Sequence, residues 1–201
     1  MNTIEGEEFL KQDFTAEGLK LAEYENCLFE DCNFSNVNLS NVEFLECEFI
    51  NCDLSMVGVS NTAFKDAGFQ DCKMIGIQFL NVNPFLLELS FNHCVLNDSV
   101  FSGLNLKGIH FTDCSMKSVD FGNTNISDSV LDKCNLLRAL FERTNLEKAD
   151  FSSVYNFELD PEDNRIKGAK FSKENVKSND ESIISSVNTP FSNNGGIKVL
   201  T

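Results

Sequence analysis

An apolar residue recurs at every fifth position along most of this chain, and that spacing limits what the chain can fold into. Phe9, Phe14, Leu19, Tyr24, Phe29, Phe34, Leu39, Phe44, Phe49, Leu54, Val59, Phe64, Phe69, Met74 and Phe79 form one unbroken series. After a slip of two residues around Asn81 to Phe85, the series resumes at Leu86. It runs on through Phe91, Leu96, Phe101, Leu106, Phe111, Met116, Phe121, Ile126, Leu131, Leu136, Phe141, Leu146 and Phe151, and returns at Ile166, Phe171 and Val176. Sixteen of the nineteen Phe lie on it, all but Phe85, Phe157 and Phe191, which excludes chance. Amphipathic helices repeat every ~3.6 residues and half-buried strands every ~2, so neither gives this pattern.

The position two residues before each central apolar residue is restricted to small or medium side chains, among them Ala22, Val37, Val42, Ser99, Thr124, Thr144 and Ala149, and all eight Cys sit there. Asn or Asp often lies between the two, as at Asn33, Asn38, Asp53, Asn125 and Asp150, and Ser often follows, as at Ser35, Ser40 and Ser152. Two inward positions separated and followed by turn-forming polar residues suit one short side of a polygonal coil.

Segments such as Cys32-Asn33-Phe34-Ser35-Asn36, Val37-Asn38-Leu39-Ser40-Asn41 and Ala149-Asp150-Phe151-Ser152-Ser153 match the motif A(D/N)LXX, and in them the chain resembles the pentapeptide-repeat family. The resemblance covers about residues 7 to 155, with a shorter return at 164 to 176. It implies an all-β fold, a right-handed quadrilateral β-helix of about seven to eight coils of twenty residues. On this reading residues 1–176 are the β-helix, with a bulge near 80–86 and a loop at 156–165, and 177–201 form a partly flexible C-terminal cap. The closing segment, with Gly196-Ile197-Lys198-Val199-Leu200-Thr201, is similar to that of the quinolone-resistance group, which implies a homodimer through the C-terminal end.

Residues twenty apart should then stack on one face. Phe9, Phe29, Phe49, Phe69, Phe91, Phe111 and Phe151 form a structural Phe column, interrupted by Leu131. Cys32, Cys52, Cys72, Cys94, Cys114 and Cys134 form a structural Cys column, with Cys27 and Cys47 on the neighbouring face. Coils stacked ~4.8 Å apart with parallel side chains hold Cβ atoms near that spacing, beyond the ~3.5–4.5 Å of a relaxed disulfide, so reduced thiols filling the corner beside Phe are expected.

Charge narrows the function. With 31 acidic and 16 basic residues the formal net charge is −15, which opposes binding to phosphate backbones and anionic membranes. No apolar run approaches the ~20 residues of a membrane helix, and the N-terminal residues are acidic where a signal peptide is basic then apolar. A soluble, cytoplasmic protein with neither nucleic acid nor membrane as partner is expected. Catalysis is not: His93 and His110 point outward with no Ser-His-Asp, Cys-His or metal-ligand spacing, no Gly-rich phosphate loop is present, and neither cofactor nor metal is called for.

Residues 1–64 hold thirteen acidic and two basic residues, net −11, and no Lys or Arg occurs from Leu21 to Phe64. Folding on twenty sets Glu23, Glu25, Glu43 and Glu46 on one face and Glu30, Asp31 and Glu48 on the next, a candidate acidic interaction edge. Several pentapeptide-repeat proteins of the quinolone-resistance type are acidic dimers that bind DNA gyrase or topoisomerase IV as DNA mimics. The resemblance implies a protein partner of that kind, a type II topoisomerase. The other reading is a structural or scaffold module with an unknown partner.

Overall fold

A computed structural model describes residues 1–172 and 198–200 and is all-β: among the described residues there is no α-helix, and one short 3-10 segment spans Phe79–Asn81. Contacts divide the chain into two compact units, Met1–Val100 and Phe101–Thr201.

The first unit holds β1 (Thr3–Glu5), β2 (Glu8–Leu10), β3 (Glu23–Glu25), β4 (Leu28–Glu30), β5 (Glu43–Leu45), β6 (Glu48–Ile50), β7 (Ala63–Lys65), β8 (Ala67–Gln70) and β9 (Leu89–Asn92). Strands β1, β3, β5 and β7 pair in parallel as a first sheet, in register at twenty residues: Thr3 with Glu23, Glu23 with Glu43, Glu43 with Ala63. Strands β2, β4, β6, β8 and β9 pair in parallel as a second, so Phe9, Phe29, Phe49, Phe69 and Phe91 lie directly over one another. Their rings stack at centroid separations of 4.7, 4.8, 4.9 and 5.3 Å with nearly parallel planes, and each meets rings of the neighbouring faces edge-on. The first coil forms a rung like the others, but its inward Ile4, Phe9, Phe14 and Leu19 are only half-buried where Tyr24, Phe29, Phe34 and Leu39 in the next coil are buried.

The second unit repeats the plan. It contains β10 (His110–Thr112), β11 (Val130–Asp132), β12 (Asp150–Phe151), β13 (Lys170–Ser172) and β14 (Lys198–Leu200), each parallel to the next. Phe111 lies over Leu131 and Phe151 over Phe171, while Phe101, Phe121 and Phe141 stack at 5.4 Å intervals on another face. The expected cap over 177–201, β14 aside, lies outside the described residues.

Each letter of the repeat has a physical job. The Asn or Asp before the central residue accepts, through its side-chain oxygen, the backbone N–H two residues on: Ser35 to Asn33 at 3.1 Å, Ser55 to Asp53 at 2.9 Å, Gly122 to Asp120 at 2.7 Å. This is the Asx-turn, and it starts the corner. The residue two after the centre is left-handed at corner after corner, as at Asn26, Asp31, Asn36, Asn41, Asp66 and Asp71, with φ between 51° and 65°. Asn, Asp and Gly suffer least there, which accounts for their frequency at that position. Corners such as Phe34 to Val37 and Phe101 to Leu104 are closed by an i to i+3 hydrogen bond, and positive φ at the third residue makes them type II turns.

The small inward position links one coil to the next. Its side chain donates to the carbonyl of an inward residue one coil earlier: Cys32 to Phe9 at 3.1 Å, Cys52 to Phe29 and Cys72 to Phe49 at 3.3 Å, Cys94 to Phe69 at 3.4 Å, Cys134 to Phe111 at 3.6 Å. Thr62, Ser99, Thr124 and Thr144 make the same bond at 2.8 to 3.0 Å. The cysteines are therefore donors as well as small apolar fillers. All eight are free and buried. Burial pushes the Cys47 thiol up to about 12. It also pushes the Tyr24 phenol, whose hydroxyl donates to the Lys20 carbonyl at 2.9 Å, up to about 12.

The slip falls between Asn83 and Leu89: Ala63 still bridges Asn83 at an offset of twenty, and the offset becomes twenty-two at Ala67 with Leu89. Pro84 takes the place after Phe64 in the count of twenty, is exposed, and lies in a corner rather than a strand, so the first sheet ends at β7. Two details differ from the sequence reading. Leu86, read as an inward member of the series, is instead a left-handed corner residue (φ 55°) and 63% exposed. At the 156–165 loop the off-series Phe157 fills the core in place of residue 156, its ring 5.3 Å from Phe141 and 5.6 Å from Phe171. Asn164 there takes the small inward position, donating to the Phe141 carbonyl at 2.9 Å, and the coil keeps its twenty residues, Asn145 bridging Arg165.

Replacing Cys52 by Ala removes the second donor to the carbonyl of Phe29, which as the middle residue of β4 also takes part in the parallel ladder, and should cost about 0.5–1.5 kcal/mol. Cys52→Thr, which can restore the bond as Thr62 does, should cost less than Ala; urea denaturation of both variants checks the order. Cys47 and Tyr24 stay protonated in the fold where the unfolded chain, with ordinary values of 9.0 and 10.0, loses protons. Their contribution is complete below about pH 9 and is lost as pH rises toward about 12, so the denaturation midpoint should fall steadily between those limits.

The acidic first sheet as a candidate interface

Inward and outward residues alternate along each three-residue strand. With Tyr24 and Phe44 inward, β3 must show Glu23 and Glu25 to solvent and β5 must show Glu43 and Leu45. Glu23 pairs directly with Glu43, and Glu25 with Glu5 of β1. Glu46 occupies the left-handed corner after β5, φ 52°, with its side chain exposed. The first sheet thus gathers Glu5, Glu23, Glu25 and Glu43, with Glu46 and, one coil later, Asp66 along its border. Glu5 and Asp66 were not among the interface candidates, although each stands twenty residues from one of them.

The other three candidates share the second sheet and are more dilute. Glu30 lies between Leu10 and Ile50, and Glu48 is separated from Glu8 by Leu28. Asp31 turns the corner after β4 and accepts a hydrogen bond from Asn51 Nδ2 at 2.5 Å. The seven carboxylates therefore lie on two adjacent faces, densest on the first.

Counter-charge is scarce around them. Among the described residues one cation meets the seven, Lys65, whose Nζ is 2.6 Å from Glu43 Oε2 at the end of the column. Thr3 Oγ1 donates to Glu23 at 3.3 Å. In the second unit the carboxylates are matched more evenly, with Lys107 to Asp128 at 3.4 Å, Arg165 to Glu147 at 2.9 Å and Lys170 to Asp150 at 2.8 Å. Burial opposes but hydrogen bonds from Lys170 and Ser152 outweigh it at Asp150, which is held below the ordinary carboxylate value.

Such a surface can attract cations and position hydrogen-bond acceptors. Among the described residues no group of three or more His, Cys, Asp and Glu side chains is placed to hold a metal ion, and no helix is long and apolar enough to cross a membrane.

Residues 22–84 and 82–151, well over half of the chain, match the family described as pentapeptide repeat region. Among solved structures, the chain is similar in fold to HetL, a pentapeptide repeat protein involved in heterocyst differentiation regulation from the cyanobacterium Nostoc sp. strain PCC 7120: 13% identity over 84% of each chain, TM-score 0.51. Full-length QnrB1, a plasmid-mediated fluoroquinolone resistance protein, is matched at 18% identity over 100% of this chain and 94% of that one, TM-score 0.44. No curated protein matches significantly.

Like charges directly opposite on paired strands repel. Glu23→Gln should therefore raise stability by about 0.2–1 kcal/mol at low ionic strength, with the gain shrinking as salt screens the pair. Urea midpoints compared at low and high salt check both the sign and the screening.

Proposed function

The chain belongs to the pentapeptide-repeat family, and from that premise we propose that it is a non-enzymatic, cytoplasmic protein-interaction module whose acidic face stands in for DNA when it binds a type II topoisomerase, DNA gyrase or topoisomerase IV. One observation carries the proposal: the carboxylates of the first coils lie on sheets of fixed spacing with almost no counter-charge. The coil beginning at Leu21 carries Glu23, Glu25, Glu30 and Asp31, and the next carries Glu43, Glu46 and Glu48. Three or four charges on a coil rise of ~4.8 Å amount to one per about 1.2–1.6 Å, near the ~1.7 Å per charge of duplex DNA. A protein groove that releases counterions from DNA finds the same linear charge here on a rigid support.

A scaffold role with another partner is the second reading. The second unit favours it, since its paired cations and carboxylates leave a balanced surface with little long-range field. Under either reading the homodimer is proposed to form through the C-terminal end, which light scattering tests.

A gyrase supercoiling assay with and without a fluoroquinolone, run on wild type and on the triple variant Glu25→Gln, Glu43→Gln, Glu46→Gln, tests the topoisomerase reading. Wild type should inhibit supercoiling or protect against the drug, and the variant should need roughly tenfold more protein, about 1.4 kcal/mol of lost binding. Absence of any effect at micromolar wild-type protein refutes it in favour of the scaffold.

A further inference from the structure

The acidic sheet ends on an apolar knob. Asn83 bridges Ala63 and accepts the Phe85 N–H on its side-chain oxygen at 3.0 Å. The Glu88 N–H reaches the Phe64 carbonyl and the Ala67 N–H the Glu88 carbonyl, both at 3.1 Å. Between these two attachments Pro84, Phe85 and Leu86 stand out from the place where the first sheet would have had its next rung. Phe85 is 66% exposed and Leu86 63% exposed. Every other described Phe from Phe29 onward is buried in the core. Leu86 also sits in a left-handed corner (φ 55°) of the kind that Asn, Asp or Gly takes at lower cost. Both choices work against solubility and backbone comfort.

We propose that Phe85 and Leu86 are the apolar anchor of a protein-docking surface, the first sheet supplying its charge, and that the partner is a protein with a basic surface beside an apolar pocket. The inference rests on the reading that the acidic sheet binds protein. Exposed aromatic and leucine side chains rimmed by charge are the composition of an interface centre. The charge selects the occupant. Glu5, Glu23, Glu25, Glu43, Glu46 and Asp66 border the knob's sheet with Lys65 as the matching cation. An anionic bilayer would be repelled by it, and a second copy docking there would bring two such sheets together. A basic protein surface gains from both parts. The knob would also separate its partner from other DNA-binding grooves, since charge alone steers and an anchor in a pocket discriminates.

The test uses the full chain and two fluorescein-labelled synthetic peptides of equal length and charge, one built of Lys and Ser, the other an amphipathic sequence of Lys and Leu, titrated by fluorescence polarisation at low salt. Wild type should bind the leucine peptide roughly tenfold tighter than the serine peptide. The double variant Phe85→Ser, Leu86→Ser should lose that preference and keep its affinity for the serine peptide, while Glu23→Gln, Glu25→Gln, Glu43→Gln should weaken both. Because both knob side chains are exposed, circular dichroism and the urea midpoint should match wild type; Phe85→Ala, Leu86→Ala serves if the serine variant is disturbed. No preference in wild type, a preference that survives in the double variant, or equal loss for both peptides overturns the proposal. So does knob-dependent flotation with phosphatidylcholine vesicles, or a knob-dependent dimer in light scattering. A negative gyrase assay beside a knob-dependent peptide preference removes the topoisomerase reading and leaves this one standing.

Discussion

The carbonyl of each inward ring residue is the acceptor that keys one coil to the next. Backbone groups buried inside a solenoid have no water to turn to, and an unsatisfied one costs about 1–3 kcal/mol. The strands satisfy most of them through parallel pairing at an offset of twenty. Cys, Thr, Ser or Asn at the small inward position adds a second donor to these inward carbonyls, reaching back to the coil before, both within the strands, as at Phe9, and at corners such as Leu39, which also accepts the Val42 N–H. The aromatic columns depend on this keying, because rings stack at 4.7 to 4.9 Å only if successive coils neither slip nor rotate. The acidic face depends on it in turn: Glu23 lies over Glu43 because Tyr24 lies over Phe44.

The fold was legible in the sequence because it is written in a period that no helix or simple strand shares, and the columns of Phe and Cys could be named from spacing alone. The chemistry of the small position was less legible. Seen as a list, Cys, Val, Thr and Ala share only size; the donor role emerges once the carbonyl of the preceding coil is in place, and Thr62, Thr124 and Thr144 were the clue. Local chemistry overrode the period at two places. The earlier register of twenty still holds at Val82 and Asn83, whose side-chain oxygen starts a corner, so Leu86 falls on the left-handed corner position and outside the core. Asn156 is itself left-handed (φ 56°) where the count puts an inward residue, and Phe157 takes the ring site.

The candidate surface was partly legible. A period of twenty assigns residues to faces, and so it grouped Glu23, Glu25, Glu43 and Glu46 before any coordinates. It could not say that Leu28 dilutes the second sheet, that Lys65 closes the column on Glu43, or that the column ends in exposed apolar side chains. Those facts depend on which side chains meet across rungs and on where a two-residue insertion is extruded.

The division of labour within each pentapeptide has a consequence for how such a protein can change over generations. Folding is decided by the two inward positions and the Asx-turn oxygen, while outward positions such as those of Glu23, Glu25 and Glu43 meet only their neighbours on the sheet surface, as Glu43 meets Lys65. Selection can therefore rewrite the electrostatic face of one coil without disturbing the scaffold under it, and can do so coil by coil. A lineage could acquire, move or erase a recognition surface by drift at neutral sites, keeping a foldable chain at every step.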